Sequence, residues 1–195
     1  MRAREVEVKL PVANAARMRR ALVRLGLRVT APRGLERNTL YDTPRRDLRR
    51  RGCLLRLRQA GSEWWLTFKG PGQPSARYKI RDERETRLGD GHVVEGILRA
   101  LGFGPVFYYE KYRTEFADRR GHALLDETPV GRYLELEGPP AWIDRMARKL
   151  GFRPESYIRK TYAALFNEAC QRLGIRSDRM SFEEVRRRFP PRTFS

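Results

Sequence analysis

Histidine and cysteine are scarce in this chain. Two histidines, His92 and His122, and two cysteines, Cys53 and Cys170, are spread through 195 residues. They are too few and too scattered for a zinc site, a thiolate cluster or a histidine-based nucleophilic centre. The same scarcity excludes a disulfide framework, so both cysteines are expected as reduced thiols. Any metal held here must be held by oxygen. Long apolar runs are missing too: nothing approaches the roughly 20 residues that cross a bilayer, and no apolar signal segment precedes the first strand, so no membrane partner and a cytoplasmic location are the expectations. There is no Walker pattern and no Gly-x-Gly-x-x-Gly between a strand and a helix. Gly70-Pro71-Gly72-Gln73-Pro74-Ser75 reads as a loop.

Acidic residues are the minority, 24 against 42 lysines and arginines, for a net charge of +18. That excess suits nucleic acid, an anionic membrane surface or a soluble polyphosphate. It does not choose among them, because runs such as Arg186-Arg187-Arg188 also read as solvated faces. No helix-turn-helix, zinc motif or strand-binding array of aromatics is present, so specific nucleic-acid recognition is not expected and a non-catalytic polyphosphate or nucleic-acid binder ranks last.

What is present is alternation. In Glu5-Val6-Glu7-Val8-Lys9-Leu10 the charged side chains fall on one face of a strand and the apolar ones on the other. The pattern returns at residues 77–85, at Lys111-Tyr112-Arg113 and at Leu134-Glu135-Leu136-Glu137. One wall so defined carries Glu5, Glu7, Glu83, Glu85, Glu135 and Glu137. The other carries Lys9, Arg56, Arg58, Lys69, Arg77, Lys79, Arg81, Lys111 and Arg113. Trp65 shares the inward parity, where it can pack or stack on a base. Parity leaves two architectures open: a barrel enclosing the ionic face, or an open sheet trading weak ion pairs in water. In a barrel the carboxylates must be hydrated, neutralised or metal-bound, and carboxylates without histidine or cysteine select Mg²⁺ or Mn²⁺. The mixture of Arg and Lys suits a chain of phosphoryl groups.

Between the strands, periodicity places helices at about residues 13–25, 92–101, 140–150 and from 155 or 161 to 173. The second is expected to turn Val94, Ile97, Leu98 and Leu101 to the core. Three of these helices close on Leu-Gly-apolar, at Leu25-Gly26-Leu27, Leu101-Gly102-Phe103 and Leu150-Gly151-Phe152, each after a paired-glutamate strand, a faint internal repeat. Strands are expected at about residues 38–43, 54–58, 64–69, 77–85, 106–116, 122–127 and 133–137. Ser181-Phe182-Glu183-Glu184 is a capping box opening a short helix that Pro190-Pro191 must end. Residues 177–195 cap a tunnel mouth, support a homodimer or hang free.

The opening Glu5-Val6-Glu7-Val8-Lys9 resembles the signature of the CYTH family, the triphosphate tunnel metalloenzymes. Leu54 to Arg58, Phe68-Lys69-Gly70-Pro71, Arg81 to Glu85, Glu110-Lys111-Tyr112-Arg113, Leu125-Asp126, Gly131 and Leu134-Glu135-Leu136-Glu137-Gly138 follow in that family's order, over roughly residues 1–165. The resemblance implies an α+β fold: a closed, eight-stranded antiparallel β-tunnel over residues 1–175 with helices packed outside, and a C-terminal extension over 176–195. It implies Mg²⁺ or Mn²⁺ on Glu5, Glu7, Glu83, Glu85, Glu135 and Glu137. The basic side chains Lys9, Arg56, Arg58, Lys69, Lys79, Arg81, Lys111 and Arg113 would hold a triphosphate. Lys9, Lys111 and Asp126 are the candidate catalytic residues, with Asp126 a metal ligand, a base orienting the attacking oxygen or a structural hydrogen-bond acceptor. The reaction expected is hydrolysis of tripolyphosphate, thiamine triphosphate or ATP. The alternative is a class IV adenylyl cyclase forming cyclic AMP and pyrophosphate.

Overall fold

A computed structural model of the chain describes residues 3–190. The strands are β1 (Ala3–Pro11), β2 (Arg28–Asp42), β3 (Leu54–Ala60), β4 (Glu63–Lys69), β5 (Lys79–Leu88), β6 (Gly104–Ala117), β7 (His122–Thr128), β8 (Gly131–Glu137) and β9 (Arg179–Met180). The helices are α1 (Ala15–Arg24), α2 (Asp47–Arg50), α3 (Gly91–Ala100), α4 (Pro140–Lys149), α5 (Tyr162–Arg172) and α6 (Phe182–Arg188). Strands pair in the order β2-β3-β4-β5-β1-β8-β7-β6, and β2 pairs back onto β6. The eight close into an antiparallel barrel, which excludes the open sheet.

Closure depends on β2, which is longer than the sequence suggests. Only residues 38–43 are expected as strand, and Pro32 and Gly34 lie in the part that the expectation leaves out. The ladder to β6 nevertheless runs from Arg28↔Ala117 to Asp42↔Gly104, with register shifts between Val29 and Ala31 and between Ala31 and Gly34. Bulges of this kind absorb residues that a regular ladder rejects. The barrel's stagger leaves two half-edges bare, and each is covered. β1 gives Ala3 to Glu7 to β5 and Glu7 to Pro11 to β8, and the remaining edge at Lys9 bonds the backbone of Ile158 at 2.8 and 3.3 Å. β7 reaches β6 only from Tyr112 onward, and β9 pairs in parallel with Tyr108 and Tyr109 below that point.

Alternation then sorts side chains. Val8, Leu10, Leu134 and Leu136 point outward and are at most 1% exposed, packed under Leu22 of α1 and Trp142, Ile143 and Met146 of α4. Truncating any of them to alanine costs about 2–5 kcal/mol. α3 lies on β3 and β4 through Leu98 and Val94, against Tyr41, Leu57 and Leu66. The expected core face of α3 is only half realised, since Ile97 and Leu101 are 52% and 67% exposed. A straight helix touches a convex barrel along one line, and these two side chains fall off it.

Each Leu-Gly-apolar triplet is the same C-terminal cap. Gly26, Gly102 and Gly151 have φ of +88°, +83° and +86°, and the next residue's N–H donates five positions back, Leu27 to Leu22, Phe103 to Leu98 and Phe152 to Ala147. Leu173-Gly174-Ile175 closes α5 in the same way, with φ +65° at Gly174. In the C-terminal segment Ser181 caps α6 by accepting from the Glu184 N–H at 3.1 Å. Met180, Val185 and Phe189 pack with Phe107 of β6 and Phe166 of α5, so this segment shares a core with the barrel. Pro191 lies outside the described residues. Both cysteines are free, and no helix among the described residues is long and apolar enough to cross a membrane.

Candidate active site

The inward parity of the strands lines a cavity of about 960 Å³. Its wall includes all eight expected phosphate-binding side chains, Lys9, Arg56, Arg58, Lys69, Lys79, Arg81, Lys111 and Arg113, and all six expected metal ligands, Glu5, Glu7, Glu83, Glu85, Glu135 and Glu137. Arg77 is the exception to the parity reading. The strand begins two residues later, and the Arg77 guanidinium sits outside, 3.5 Å from Asp144 of α4. One end of the bore is filled by an aromatic cluster in which α5 contributes Tyr162 and Phe166 against Leu40, Phe107, Tyr109 and Tyr133.

The six glutamates do not act as one set. One oxygen each of Glu5, Glu7 and Glu137 converge within 4.8 Å of one another. Glu135 is taken up by Lys9 at 2.7 Å and Arg113 at 2.5 Å. Glu83 meets Lys69 at 3.1 Å. Glu85 accepts from Thr67 at 2.5 Å, from Arg58 at 3.0 Å and from Arg56 at 3.3 Å. Within the converging trio, Glu7 is paired with Lys79 and Glu5 with Lys69, at 2.7 Å for the latter. Glu137 has no cation within 4.0 Å among the described residues.

Burial, with Glu7 and Glu5 adding repulsion, pushes the Glu137 carboxyl up to about 8. Burial also raises Glu5 to about 7 against the pull of Lys69. Three oxygens from two adjacent strands, crowded and short of positive charge, are a donor set that fits a hard divalent cation.

The opposite wall holds its cations in place. Asp126 of β7 is fully buried, and its two oxygens accept from Arg113 Nε and Nη2 at 2.7 Å each, Lys111 Nζ at 3.0 Å and the Tyr162 hydroxyl at 2.7 Å. It lies behind Lys111 and Arg113 as their anchor. Lys9 stands 4.4 Å over the ring of Tyr162, a cation–π contact.

Glu36 of β2 escaped the sequence reading. It is 5% exposed, 3.2 Å from Arg58 and 3.4 Å from Lys111. Although burial opposes ionisation, Lys111, Arg113 and Arg58 hold its carboxyl down to about 2. Its only sequence signal was its parity on a strand that Pro32 and Gly34 disguised. Arg81 alone among the eight cations has no carboxylate within 4.0 Å among the described residues, and its Nε has no hydrogen-bond partner. Trp65 faces the cavity with the Arg58 guanidinium 5.5 Å over its ring.

The wall therefore carries eight cations against nine carboxylates, with Asp126 behind it. The bore is close to neutral, and the chain's +18 resides on its outer surface.

The site is thus a closed antiparallel barrel whose bore is lined by interleaved carboxylates and anchored cations, with three of the carboxylates converging. The CYTH domain model matches residues 3–162, and the chain belongs to that family. It is similar to a candidate adenylate cyclase of Methanocaldococcus jannaschii, 25% identical over 83% of this chain and 97% of that protein. Its fold resembles that of a candidate adenylate cyclase from Vibrio parahaemolyticus, with a TM-score of 0.73 at 20% identity, covering 84% of this chain and 97% of that one. It also resembles a candidate adenylyl cyclase from Hippeastrum described as having a dominant triphosphatase activity, with a TM-score of 0.61 at 16% identity over 91% and 98% of the two chains.

Proposed function

We propose that this chain is a metal-dependent triphosphatase that hydrolyses an inorganic or organic triphosphate within its barrel. The observation that carries this reading is the convergence of Glu5, Glu7 and Glu137 in the same cavity as the eight-cation wall. Those three carboxylates would hold Mg²⁺ or Mn²⁺, which when bound supplies positive charge beside the phosphate oxygens. Arg56, Arg58 and Arg81 offer forked donors to successive phosphoryl groups, and Lys9, Lys69 and Lys111 offer point charges. Lys111 and Arg113, fixed by Asp126, and Lys9, fixed by Glu135, need no rearrangement to meet the charge that builds on the leaving phosphate. Glu85 and Asp126 have their oxygens occupied by donors, which assigns them to positioning cations.

A panel of tripolyphosphate, thiamine triphosphate and ATP, each with Mg²⁺ or Mn²⁺ and assayed for released phosphate, tests the reading. Glu7→Gln should lower turnover by about 100-fold or more with its circular dichroism unchanged. An unchanged rate would remove the carboxylate trio from the mechanism.

The second reading is an adenylyl cyclase, with the same wall gripping ATP and its 3′-hydroxyl attacking the α-phosphorus. The name of the Methanocaldococcus jannaschii relative and the placement of Trp65, where a base can stack, favour it. The dominant triphosphatase activity of the Hippeastrum protein, on the same fold, supports hydrolysis.

A further inference from the structure

Several helices on the barrel neutralise cations of their own. Arg50 of α2 pairs with Asp47, Arg99 of α3 with Glu95, and Arg187 and Arg188 of α6 with Glu184. α1 and α4 do not. α1 contains no acidic residue, and its Arg17, Arg20 and Arg24 are exposed. α4 exposes Arg145, Arg148 and Lys149, and its one acid, Asp144, accepts from the Tyr78 and Tyr157 hydroxyls at 2.8 and 3.0 Å. None of these cations has a carboxylate within 4.0 Å among the described residues. Like charges three and four residues apart on a helix repel, and Arg17 stands in a first turn, where the helix dipole favours an acid. Both helices cover one apolar cluster over β1, β8 and β7, Met18 and Leu22 from α1 and Ile143 and Met146 from α4, so their outer sides form a single face. The turn between β6 and β7 extends it with the exposed Arg119 and Arg120, and is held to α4 by Asp118, which accepts from the Trp142 indole at 2.9 Å.

We propose that the face formed by α1 and α4 docks double-stranded nucleic acid through its phosphate backbone, without reading its sequence. Unpaired, outward arginines are complementary to a phosphodiester chain, whose oxygens fit the guanidinium fork. Cations on two neighbouring helices offer two rows of contacts, one for each strand of a duplex. A single strand would need exposed rings on which its bases stack, and the one aromatic on α1 or α4, Trp142, is 2% exposed. A membrane surface would need an apolar helix face turned to lipid. Here those faces are buried against the barrel, which leaves Val23 as the one large apolar side chain exposed on either helix. Duplex docking is independent of the triphosphatase reading, because these cations lie outside the barrel wall.

Fluorescence anisotropy of a labelled duplex of about 20 base pairs, titrated with the full chain at several salt concentrations, tests this. Wild type should bind with a dissociation constant of about 1–100 μM near physiological salt, weakening by about 10²–10³-fold between roughly 50 and 200 mM, the slope of about five phosphate contacts. Arg20→Ala, Arg24→Ala and Arg148→Ala together should weaken binding by about tenfold or more and lower the salt slope by about 2–3. The control removes the same charge around α2, which packs on β3 across the barrel from β8. Arg45→Ala, Arg49→Ala and Arg51→Ala together should leave binding within about threefold of wild type. Equal losses in the two triple variants would trace binding to bulk charge and overturn the proposal, as would the absence of salt-dependent binding. A single strand bound more tightly than the duplex also overturns it, and so do phosphatidylglycerol vesicles bound through the same three arginines in place of the duplex. Urea unfolding should match wild type for both variants. Duplex binding is read without metal or triphosphate, so its failure and a failure of hydrolysis stay separate.

Discussion

Glu7 on β1 and Glu137 on β8 stand directly opposite each other across the ladder, like charges in a position where cross-strand pairs are ordinarily opposite or apolar. Glu5, two residues along β1 on the same face, completes the crowding. A fold that keeps three acids this close gains when a cation joins them, and the expectations below follow from that.

Without metal, stability should fall as pH rises from about 5 to about 8. The sign follows from proton counting. Glu5 and Glu137 keep protons in the folded chain up to about 7 and about 8, while the unfolded chain has already lost them, so raising pH favours unfolding. Glu36 and Glu135, held low by Lys111 and by Lys9 after burial's opposing push, lose their contribution only when pH falls below the usual carboxylate range. Urea unfolding across this window should show a decline on the order of a few kcal/mol, abolished by Mg²⁺. Calorimetry of Mg²⁺ binding near neutral pH, in buffers of different ionisation enthalpy, should show proton release.

Glu137→Gln should stabilise the metal-free protein by about 1–3 kcal/mol, because an amide removes a buried carboxyl that has no cation partner. It should also lose the stabilisation that Mg²⁺ gives wild type and reduce turnover. Thermal denaturation with and without Mg²⁺ checks both, and a destabilised metal-free variant would contradict the crowding account.

Arg81→Ala should separate binding from folding. Its guanidinium has no carboxylate within 4.0 Å to abandon among the described residues. KM for tripolyphosphate should rise about tenfold, with unfolding free energy within about 0.5 kcal/mol of wild type. Steady-state kinetics with urea unfolding reads both.

Asp126→Asn should do the reverse. Stripping the charge that Lys111, Arg113 and Tyr162 share should cost about 3–5 kcal/mol, while Tyr162→Phe, which removes one hydrogen bond, should cost about 1–2 kcal/mol. Equal effects in denaturant unfolding would show that the hydroxyl, rather than the ion pairs, carries the anchor.

Much of this site was legible in the sequence because β-strand parity is rigid: Glu5, Glu7, Lys9, Glu135 and Glu137 could not share a face any other way. Closure was not legible from parity, since it depends on β2 pairing with β6 through bulges at Pro32 and Gly34, residues that locally argue against a strand. Glu36 was hidden by the same disguise. Which acids converge and which are neutralised depends on side-chain reach across strands, so Glu137 and Glu135, two residues apart, have opposite electrostatic fates. Ile97 and Leu101 show the limit of periodicity: it marks an apolar face without saying that the chain itself covers it.

The most direct test of the central claim is to follow tripolyphosphate and ATP by phosphorus NMR with Mg²⁺ or Mn²⁺ present. The expected result is orthophosphate with pyrophosphate from the first and orthophosphate with ADP from the second, both abolished by chelation and by Glu7→Gln. Cyclic AMP with pyrophosphate as the main products of ATP, or no metal-dependent turnover of either compound, would contradict it.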